Sequence, residues 1–257
     1  RIKKLYMDQE NILWIGTGSF FSWQEDSGGL NRFDAKSNSF RRYFSSKNNS
    51  GVEDSHITAI SEDNEGRLFV GTSNSKLYLY DKGKDIFTHL SYGSKKYPFA
   101  PMGDGFAAIK PIVNGIHQDN EGYLWISTFS GGLNRFDLSD NSLQKYPTPT
   151  NKQKYLASKN ILCLYEDRQG MIWVSAWKHG VYKIIPSKNL FNQIAQHEKL
   201  SRLLSMEETR VFHEDSFGNY WIGTNNNIIR YDKKNDSAEI YNKYFNSGVS
   251  LVDVIYE

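Results

Sequence analysis

The chemistry open to this chain depends first on its carboxylates, because pairs of Asp or Glu side chains provide acid–base and nucleophilic catalysis in glycosidases. Five aspartates recur at intervals of 48 to 56 residues: Asp8, Asp63, Asp119, Asp167 and Asp215. Five other acidic residues follow no interval: Glu25, Asp26, Glu53, Asp54 and Asp104. A retaining glycosidase would need two carboxyl groups about 5 Å apart. The first question is therefore which of these residues can meet.

The histidine and cysteine residues of the chain do not form a pattern of metal ligands or a disulfide. His117 and His213 occupy the same position in two repeats, whereas zinc needs about four converging ligands. Cys163 is the only cysteine, which excludes a disulfide within the chain. The sequence therefore predicts neither a metal site nor a cofactor.

Each of the five regularly spaced aspartates begins the same short phrase. Glycine follows three residues later in four repeats, and Asn11 takes its place in the first. An aromatic residue stands three positions further on: Trp14, Phe69, Trp125, Trp173 and Trp221. A small pair, a turn, a third strand such as "GGLNRFD" and a fourth such as "FRRY" complete the repeat. With the alternating strand before each aspartate, this gives four short strands per repeat.

Repeats of four antiparallel strands, each with a buried aromatic residue, are typical of the blades of a β-propeller. We therefore predict an all-β fold: a β-propeller segment over residues 1–257, with five four-stranded blades and the first strand of a sixth. The blades are placed at approximately 1–46, 55–92, 112–148, 159–196 and 207–243, and the next begins at 249–257. The innermost strands are expected near Ile2–Met7, Ile57–Glu62, Gly115–Gln118, Ile161–Glu166 and Thr209–Glu214.

The amino-acid sequence of the repeat identifies a family more specifically than the propeller fold does. "SEDNEGRLFVGT", "QDNEGYLWISTFSGGLNRFD" and "EDRQGMIWVSA" resemble the two-component regulator propeller repeat, whereas the Gly-His and Trp-Asp pairs of WD40 repeats do not recur. The resemblance implies the periplasmic sensor region of a bacterial hybrid two-component system. Such a sensor would be a homodimer that responds to glycan fragments and is joined through a membrane helix to a histidine kinase. The resemblance also implies a seven-bladed propeller, of which this chain would be a part.

Charge and hydropathy argue against other classes of protein. Lys and Arg number 31 against 29 Asp and Glu, a net charge of +2, which is too balanced for a nucleic-acid-binding surface. No apolar run approaches the roughly 18 residues of a membrane span. We therefore expect no nucleic-acid partner, and contact with a membrane only through a segment outside this chain.

Equivalent positions of a propeller are distributed around a ring, so the copies of one repeated residue cannot converge on one ligand. The five repeated aspartates are accordingly interpreted as turn formers that accept backbone N–H groups. The repeated tryptophans are interpreted as wedges between blades, and Arg32, Arg135 and Arg230 as structural contacts. We predict no catalytic residue, and we look for function where the repeat is interrupted.

Insertions fall on one edge of the blades, which is formed by the turns between second and third strands and by the connections between blades. "TGSFFSWQEDSGG" in the first repeat stands where the third has "TFSGG", and "SYGSKKYPFAPMGDGFAAIKP" joins the second repeat to the third. We call this side the loop edge, and the opposite side, with the D-x-x-G turns, the turn edge. Long loops on a rigid scaffold commonly carry binding sites.

Aromatic residues at the loop edge form the predicted ligand site. The site comprises Phe20, Phe21, Trp23, Gln24, Tyr97, Trp177, Lys178 and His179. Indoles stack on the apolar C–H faces of sugar rings, while Gln24 and Lys178 supply polar groups for the hydroxyls. In a seven-bladed ring Trp23 and Trp177 would face each other across the central opening, so the expected ligand is an oligosaccharide.

The function that the sequence favours is a non-catalytic, carbohydrate-sensing propeller. Two other functions remain open: a propeller glycosidase or lyase, and a purely protein-binding propeller. The aromatic residues of the loop edge could also pack within their own loops or dock a second propeller. A further alternative concerns "EKLSRLLSMEE", where Leu200, Leu203 and Leu204 fit one face of a short helix that covers a blade edge.

Overall fold

A computed structural model describes residues 2–18, 28–43, 51–54, 56–90, 111–140, 142–146, 156, 158–185, 190–193, 200, 203–204, 208–241, 252 and 255. Twenty strands in this part of the chain form five antiparallel sheets of four strands each. In every sheet the strands follow one another in sequence order, as the blades of a propeller do. The predicted all-β, β-propeller fold is confirmed.

The first compact unit, Arg1–Lys145, contains three blades. Their strands are β1 Ile2–Met7, β2 Leu13–Thr17, β3 Gly29–Asp34, β4 Ser39–Tyr43, β5 Ile57–Glu62, β6 Leu68–Thr72, β7 Leu77–Asp81, β8 Ile86–His89, β9 Ile112–Gln118, β10 Tyr123–Phe129, β11 Gly132–Asp137 and β12 Ser142–Lys145. Within this unit β5 lies beside both β1 and β9, so the first strands of successive blades are neighbours.

The second compact unit, Tyr146–Glu257, contains two blades. Their strands are β13 Ile161–Glu166, β14 Ile172–Ala176, β15 Gly180–Ile185, β16 Leu190–Gln193, β17 Thr209–Glu214, β18 Tyr220–Thr224, β19 Ile228–Asp232 and β20 Ser237–Ile240. Leu200, Leu203 and Leu204 have helical backbone and pack into the hydrophobic core of this unit. This agrees with the predicted helix at the residues that the structure describes.

The start of one inner strand was predicted three residues too late. The sequence placed its start at Gly115, but β9 begins at Ile112. Gly115 pairs with Ser127 and Val113 with Thr128, so a β-bulge falls between the two pairs. Glycine inside a strand often marks such a bulge, and here it does not mark the end of the strand.

Only two residues of the predicted sixth-blade strand, Val252 and Ile255, lie within the described residues. The Val252 N–H donates to the Thr224 carbonyl at 3.0 Å. The Val252 side chain also lies against Gly223, as Ile57 lies against Gly16 between the first two blades. Val252 therefore occupies the place that the first strand of a following blade takes.

The repeated aspartates cap the turns between first and second strands. In the third blade, one carboxylate oxygen of Asp119 accepts the backbone N–H groups of Glu121 and Tyr123, each at 3.0 Å. The other oxygen accepts the indole N–H of Trp125 at 2.6 Å. The same three bonds recur in the first, fourth and fifth blades. The interpretation of these aspartates as turn formers is confirmed.

The second blade makes the same turn with different side chains. The Phe69 side chain has no N–H group to take the place of the indole. The Arg67 Nε instead donates to Asp63 Oδ2 at 2.6 Å. In the third blade Arg135 lies directly opposite Trp125, with its guanidinium carbon 5.9 Å from the indole centroid. Opposite Phe69 the second blade has Leu79, which has no charge. Between the third and second blades, Trp125 is therefore replaced by Phe69, Tyr123 by Arg67 and Arg135 by Leu79. The contact with Trp125 confirms the structural role predicted for Arg135.

We expect Trp125→Phe alone to lower the free energy of unfolding by about 2–3 kcal/mol, because a buried carboxylate loses a donor. Adding Tyr123→Arg and Arg135→Leu copies the second blade and should recover much of that loss. Denaturant unfolding measures both effects. Tyr123→Arg with Arg135→Leu in the presence of Trp125 is the control and should destabilise. A triple variant no more stable than Trp125→Phe would contradict the coupling.

Neighbouring blades approach closely at the small residues of the second strands. A Cβ added at Gly71 would lie 2.4 Å from Cγ1 of Val113 in the next blade. In the fourth blade serine takes this position, and the Ser175 Oγ donates to the Thr209 carbonyl of the fifth blade at 2.8 Å. The small pair of the repeat is therefore required for contact between blades.

Gly71→Ala should cost about 1–3 kcal/mol of stability, the usual range for an overpacked core. The cost should fall in a Gly71→Ala, Val113→Ala double variant, which removes the methyl groups in conflict. Thermal unfolding with Gly83→Ala as the control gives the comparison, since Gly83 is exposed in a β-turn. Equal melting temperatures for Gly71→Ala and Gly83→Ala would show that the contact is not tight.

Candidate functional site

The predicted site residues divide into two groups. Five of them, Phe20, Phe21, Trp23, Gln24 and Tyr97, lie outside the described residues, as do the acidic candidates Glu25, Asp26 and Asp104. Trp177, Lys178 and His179 form the described turn between β14 and β15. The structure therefore brings three of the eight predicted residues together.

Two of the acidic candidates, Glu53 and Asp54, have structural contacts. Asp54 is buried, and its carboxylate accepts the His56 N–H at 3.0 Å and the Asn74 N–H at 2.9 Å. Glu53 forms an ion pair with Lys76, and the hydrogen bond from Lys76 lowers the pKa of Glu53. Asp54 thus holds the entry of the second blade to its β6–β7 turn, and Glu53 is an exposed partner of a lysine.

A second cluster of titratable groups lies between the fourth and fifth blades. The Tyr220 hydroxyl donates to Asp167 at 2.8 Å and accepts from Lys233 at 2.7 Å. Burial raises the pKa of Tyr220. Burial also opposes the charged form of Asp167, but hydrogen bonds, led by that from Trp173, outweigh it and lower the pKa of Asp167. These buried, mutually bonded groups join two blades, and we assign them to the scaffold.

At the turn edge, successive blades within each unit are tied together by one repeated contact. The backbone N–H that follows the capping aspartate donates to the side chain at the end of the next blade's first strand. The three such bonds are Gln9 to Glu62 at 2.8 Å, Asn64 to Gln118 at 2.8 Å and Arg168 to Glu214 at 3.2 Å. The turn edge is therefore held by its own repeat.

At the loop edge of the second unit, Trp177 combines a backbone bond that Ser73 and Asn225 also make with an indole contact that is particular to the fourth blade. Its backbone N–H donates to the Asn160 carbonyl at 2.8 Å, which fixes the start of the turn. Its indole N–H donates to the Glu208 carboxylate, at the entry of the fifth blade. Trp177 is half-buried and lies outside the hydrophobic core described for this unit, where Trp173 is the wedge.

Glu208 is the residue of this site that the sequence reasoning missed. Its backbone N–H donates to the Asn225 side chain at 3.0 Å, and its carbonyl accepts the Asn225 N–H at 3.1 Å. Its carboxylate lies 3.9 Å from the Arg210 guanidinium. The available signal was an acidic residue immediately before an inner strand, where the second and fourth blades have His56 and Asn160.

Lys178 covers a face of the same indole. Its ammonium nitrogen lies 4.8 Å from the Trp177 ring centroid, a cation–π arrangement. Lys178 and His179 are both exposed. The site thus consists of an aromatic ring held by its edge, a carboxylate that holds it and a cation over its face. We name these residues, Trp177, Lys178 and Glu208, the Trp177 site.

No group of three or more His, Cys, Asp or Glu side chains within the described residues is arranged to hold a metal ion. No described helix has the length and apolar character needed to cross a bilayer.

Blades of four strands, each closed by an aspartate-capped turn, define a propeller built from one repeated unit. Two of the repeats, residues 51–74 and 155–178, match the family model described as two component regulator propeller. The resemblance of the repeats to the two-component regulator propeller repeat is therefore confirmed. No curated protein sequence matches the chain significantly.

Solved structures from two bacteria share the fold. The extracellular domain of BT4673, assigned to a hybrid two component system of B. thetaiotaomicron, is 20% identical with a TM-score of 0.68; the match covers 96% of this chain and 31% of that one. The corresponding domain of BT3049 is 16% identical, with a TM-score of 0.66 and coverage of 94% and 29%. PorZ, a surface component of the type-IX secretion system of Porphyromonas gingivalis, is 14% identical, with a TM-score of 0.60 and coverage of 93% and 33%.

Identities of 14% to 20% show a common fold, and this chain spans less than two thirds of each matched structure. Two of these structures are extracellular domains of hybrid two-component systems, and the third belongs to a secretion system. Fold alone therefore leaves a sensing role and a protein-assembly role as separate hypotheses.

Asp54→Asn should cost about 1–3 kcal/mol of stability, because an amide nitrogen would replace one of two buried acceptors of backbone N–H groups. The adjacent Glu53→Gln is the matched control and should change stability by about 0.5 kcal/mol or less, as exposed ion pairs do. Denaturant unfolding measures both variants. If Asp54→Asn left stability intact but abolished cleavage of an oligosaccharide, Asp54 would be catalytic.

Proposed function

We propose that this chain is a non-catalytic segment of an extracytoplasmic sensor and that it binds an oligosaccharide at the loop edge. The regulator propeller repeats and the likeness to extracellular domains of hybrid two-component systems support the regulatory context. The proposed compartment is the periplasm. We also propose that the intact sensor is a homodimer whose membrane segment lies outside this chain.

The Trp177 site is the observation that carries the ligand proposal. Trp173 is already the wedge residue of the fourth blade, and Trp177 lies outside the hydrophobic core that Trp173 joins. Its N–H edge is fixed by Glu208, which limits rotation of the ring. A fixed, half-exposed indole loses little conformational entropy on stacking against a sugar ring. The exposed Lys178 and His179 provide donors for ring hydroxyls.

A non-catalytic role agrees with the contacts of the described acidic candidates. Asp54 is occupied by backbone N–H groups, and Glu53 by Lys76. The capping aspartates are buried within their own turns. The alternatives, a propeller glycosidase or lyase and a protein-docking propeller, differ from sensing in their products and in their partners. One binding experiment with a product assay therefore separates the three.

The test is calorimetry of the complete sensor region against oligosaccharides selected on a glycan array. Trp177→Ala should weaken binding by about 1.5–3 kcal/mol, roughly ten- to hundredfold, the scale of burying one large apolar side chain. Phe217→Ala is the control, because Phe217 is an aromatic residue that is 80% exposed at the turn edge. Its affinity should equal that of the wild type.

Three outcomes would contradict the proposal. Unchanged affinity of folded Trp177→Ala would exclude this site. Release of shorter sugars, detected by chromatography after incubation, would favour the glycosidase or lyase. Absence of sugar binding, together with a change in subunit association of Trp177→Ala by light scattering, would favour the protein-docking role.

A further inference from the structure

The turn that carries Trp177 has an unusual residue at its second position. Lys178 has a backbone φ of 62°, in the left-handed region that side chains with a Cβ rarely adopt. The other described non-glycine residues with positive φ all have short polar side chains: Asn11, Asn38, Ser75, Asp85, Ser130 and Asp236. At the equivalent turn position of the third blade the residue is Ser130. Lysine thus occupies a position where asparagine or glycine would be less strained.

Strained backbone that the surrounding structure maintains is a reason to look for a function. In this turn the Lys178 ammonium lies 4.8 Å from the centroid of the Trp177 ring. The backbone on both sides is fixed, because the Trp177 N–H donates to Asn160 and the His179 N–H donates to Ala176 at 2.9 Å. The ring and the cation therefore belong to one turn whose backbone is held on both sides.

The charges around the ring are distributed unequally. The Glu208 carboxylate is engaged by the Trp177 indole and lies 3.9 Å from Arg210. Lys178 is exposed, and within the described residues its contact is with the indole and not with a carboxylate. Its positive charge is consequently the one that a ligand on this face of the indole would meet first.

From this arrangement we propose that the oligosaccharide bound at the Trp177 site carries an anionic group, a carboxylate or a sulfate, and that Lys178 determines this preference. The inference rests on the proposed function. A sugar ring stacked on the indole displaces the ammonium from the ring face. An anionic substituent replaces the lost cation–π contact with an ion pair, whereas a neutral sugar offers no charged partner in exchange.

The test uses calorimetry of the complete sensor region with two matched pairs of ligands. One pair is a uronic-acid tetrasaccharide and its neutral methyl ester, and the other is a sulfated tetrasaccharide and its desulfated form. Wild type should bind one anionic member about tenfold more tightly than its neutral partner, as a single charge-assisted contact allows. The pair that shows the preference identifies the anionic group.

Three variants locate the preference. Lys178→Gln should bring the two affinities within about twofold of each other, while Lys234→Gln, an exposed lysine at the turn edge, should leave the preference unchanged. Lys178→Asn should also abolish the preference and, because asparagine tolerates the left-handed region, should melt at or above the wild-type temperature. If Lys178 were only structural, Lys178→Asn would not lose the anionic preference while keeping the wild-type melting temperature.

The outcomes separate this inference from the proposed function. Equal binding of the anionic and neutral members by wild type would overturn the inference and leave carbohydrate sensing intact. A preference that survives in Lys178→Gln would also overturn it. Failure of every tetrasaccharide to bind would overturn the inference alone if an array-selected neutral oligosaccharide bound, and both proposals if none did.

Discussion

The hydrogen bonds of the capping aspartates are the interaction on which the rest of this structure depends. A carboxylate with an exposed fraction of only a few per cent, such as Asp119 or Asp167, would be costly to bury without partners. The tight turn supplies backbone N–H groups, and the following aromatic supplies its indole N–H. The same bonds that satisfy the charge therefore close the turn and orient the wedge residue toward the neighbouring blade.

The residue before three of the capping aspartates extends this arrangement from one blade to the next within a unit. Glu62, Gln118 and Glu214 each accept the first backbone N–H of the preceding blade's turn. In these blades one side chain of the pair serves its own turn and the other serves a neighbour. Both act at the turn edge, where insertions would break hydrogen bonds. At the loop edge, the repeated bond of the described residues stays within one blade: the Ser73, Trp177 and Asn225 N–H groups donate to the carbonyls of His56, Asn160 and Glu208.

Most of the fold could be predicted because its determinants are repeated. Period-2 strands, glycine turns and the aromatic column each appear several times, so an exception such as Phe69 did not obscure them. The side-chain contacts that depart from the repeat were not predictable. Arg67 replaces the missing indole donor through a contact that only coordinates show, and the hydroxyl of Tyr220 reaches Asp167 across two blades. Glu208 escaped notice because its position has a different residue in every blade.

For the site, sequence reasoning identified Trp177 as a departure from the repeat, and the role of Lys178 as a donor to sugar hydroxyls stays a prediction. The structure adds the position of the Lys178 ammonium over the Trp177 ring, which no sequence pattern indicated. The same fold at 14% to 20% identity occurs in extracellular domains of hybrid two-component systems and in a component of a secretion system. The turn-edge bonds of this chain hold its blades without the loop edge, which is why we propose that specificity resides in loop-edge residues. Lys178 is one of them, since the left-handed turn position alone would favour asparagine or glycine.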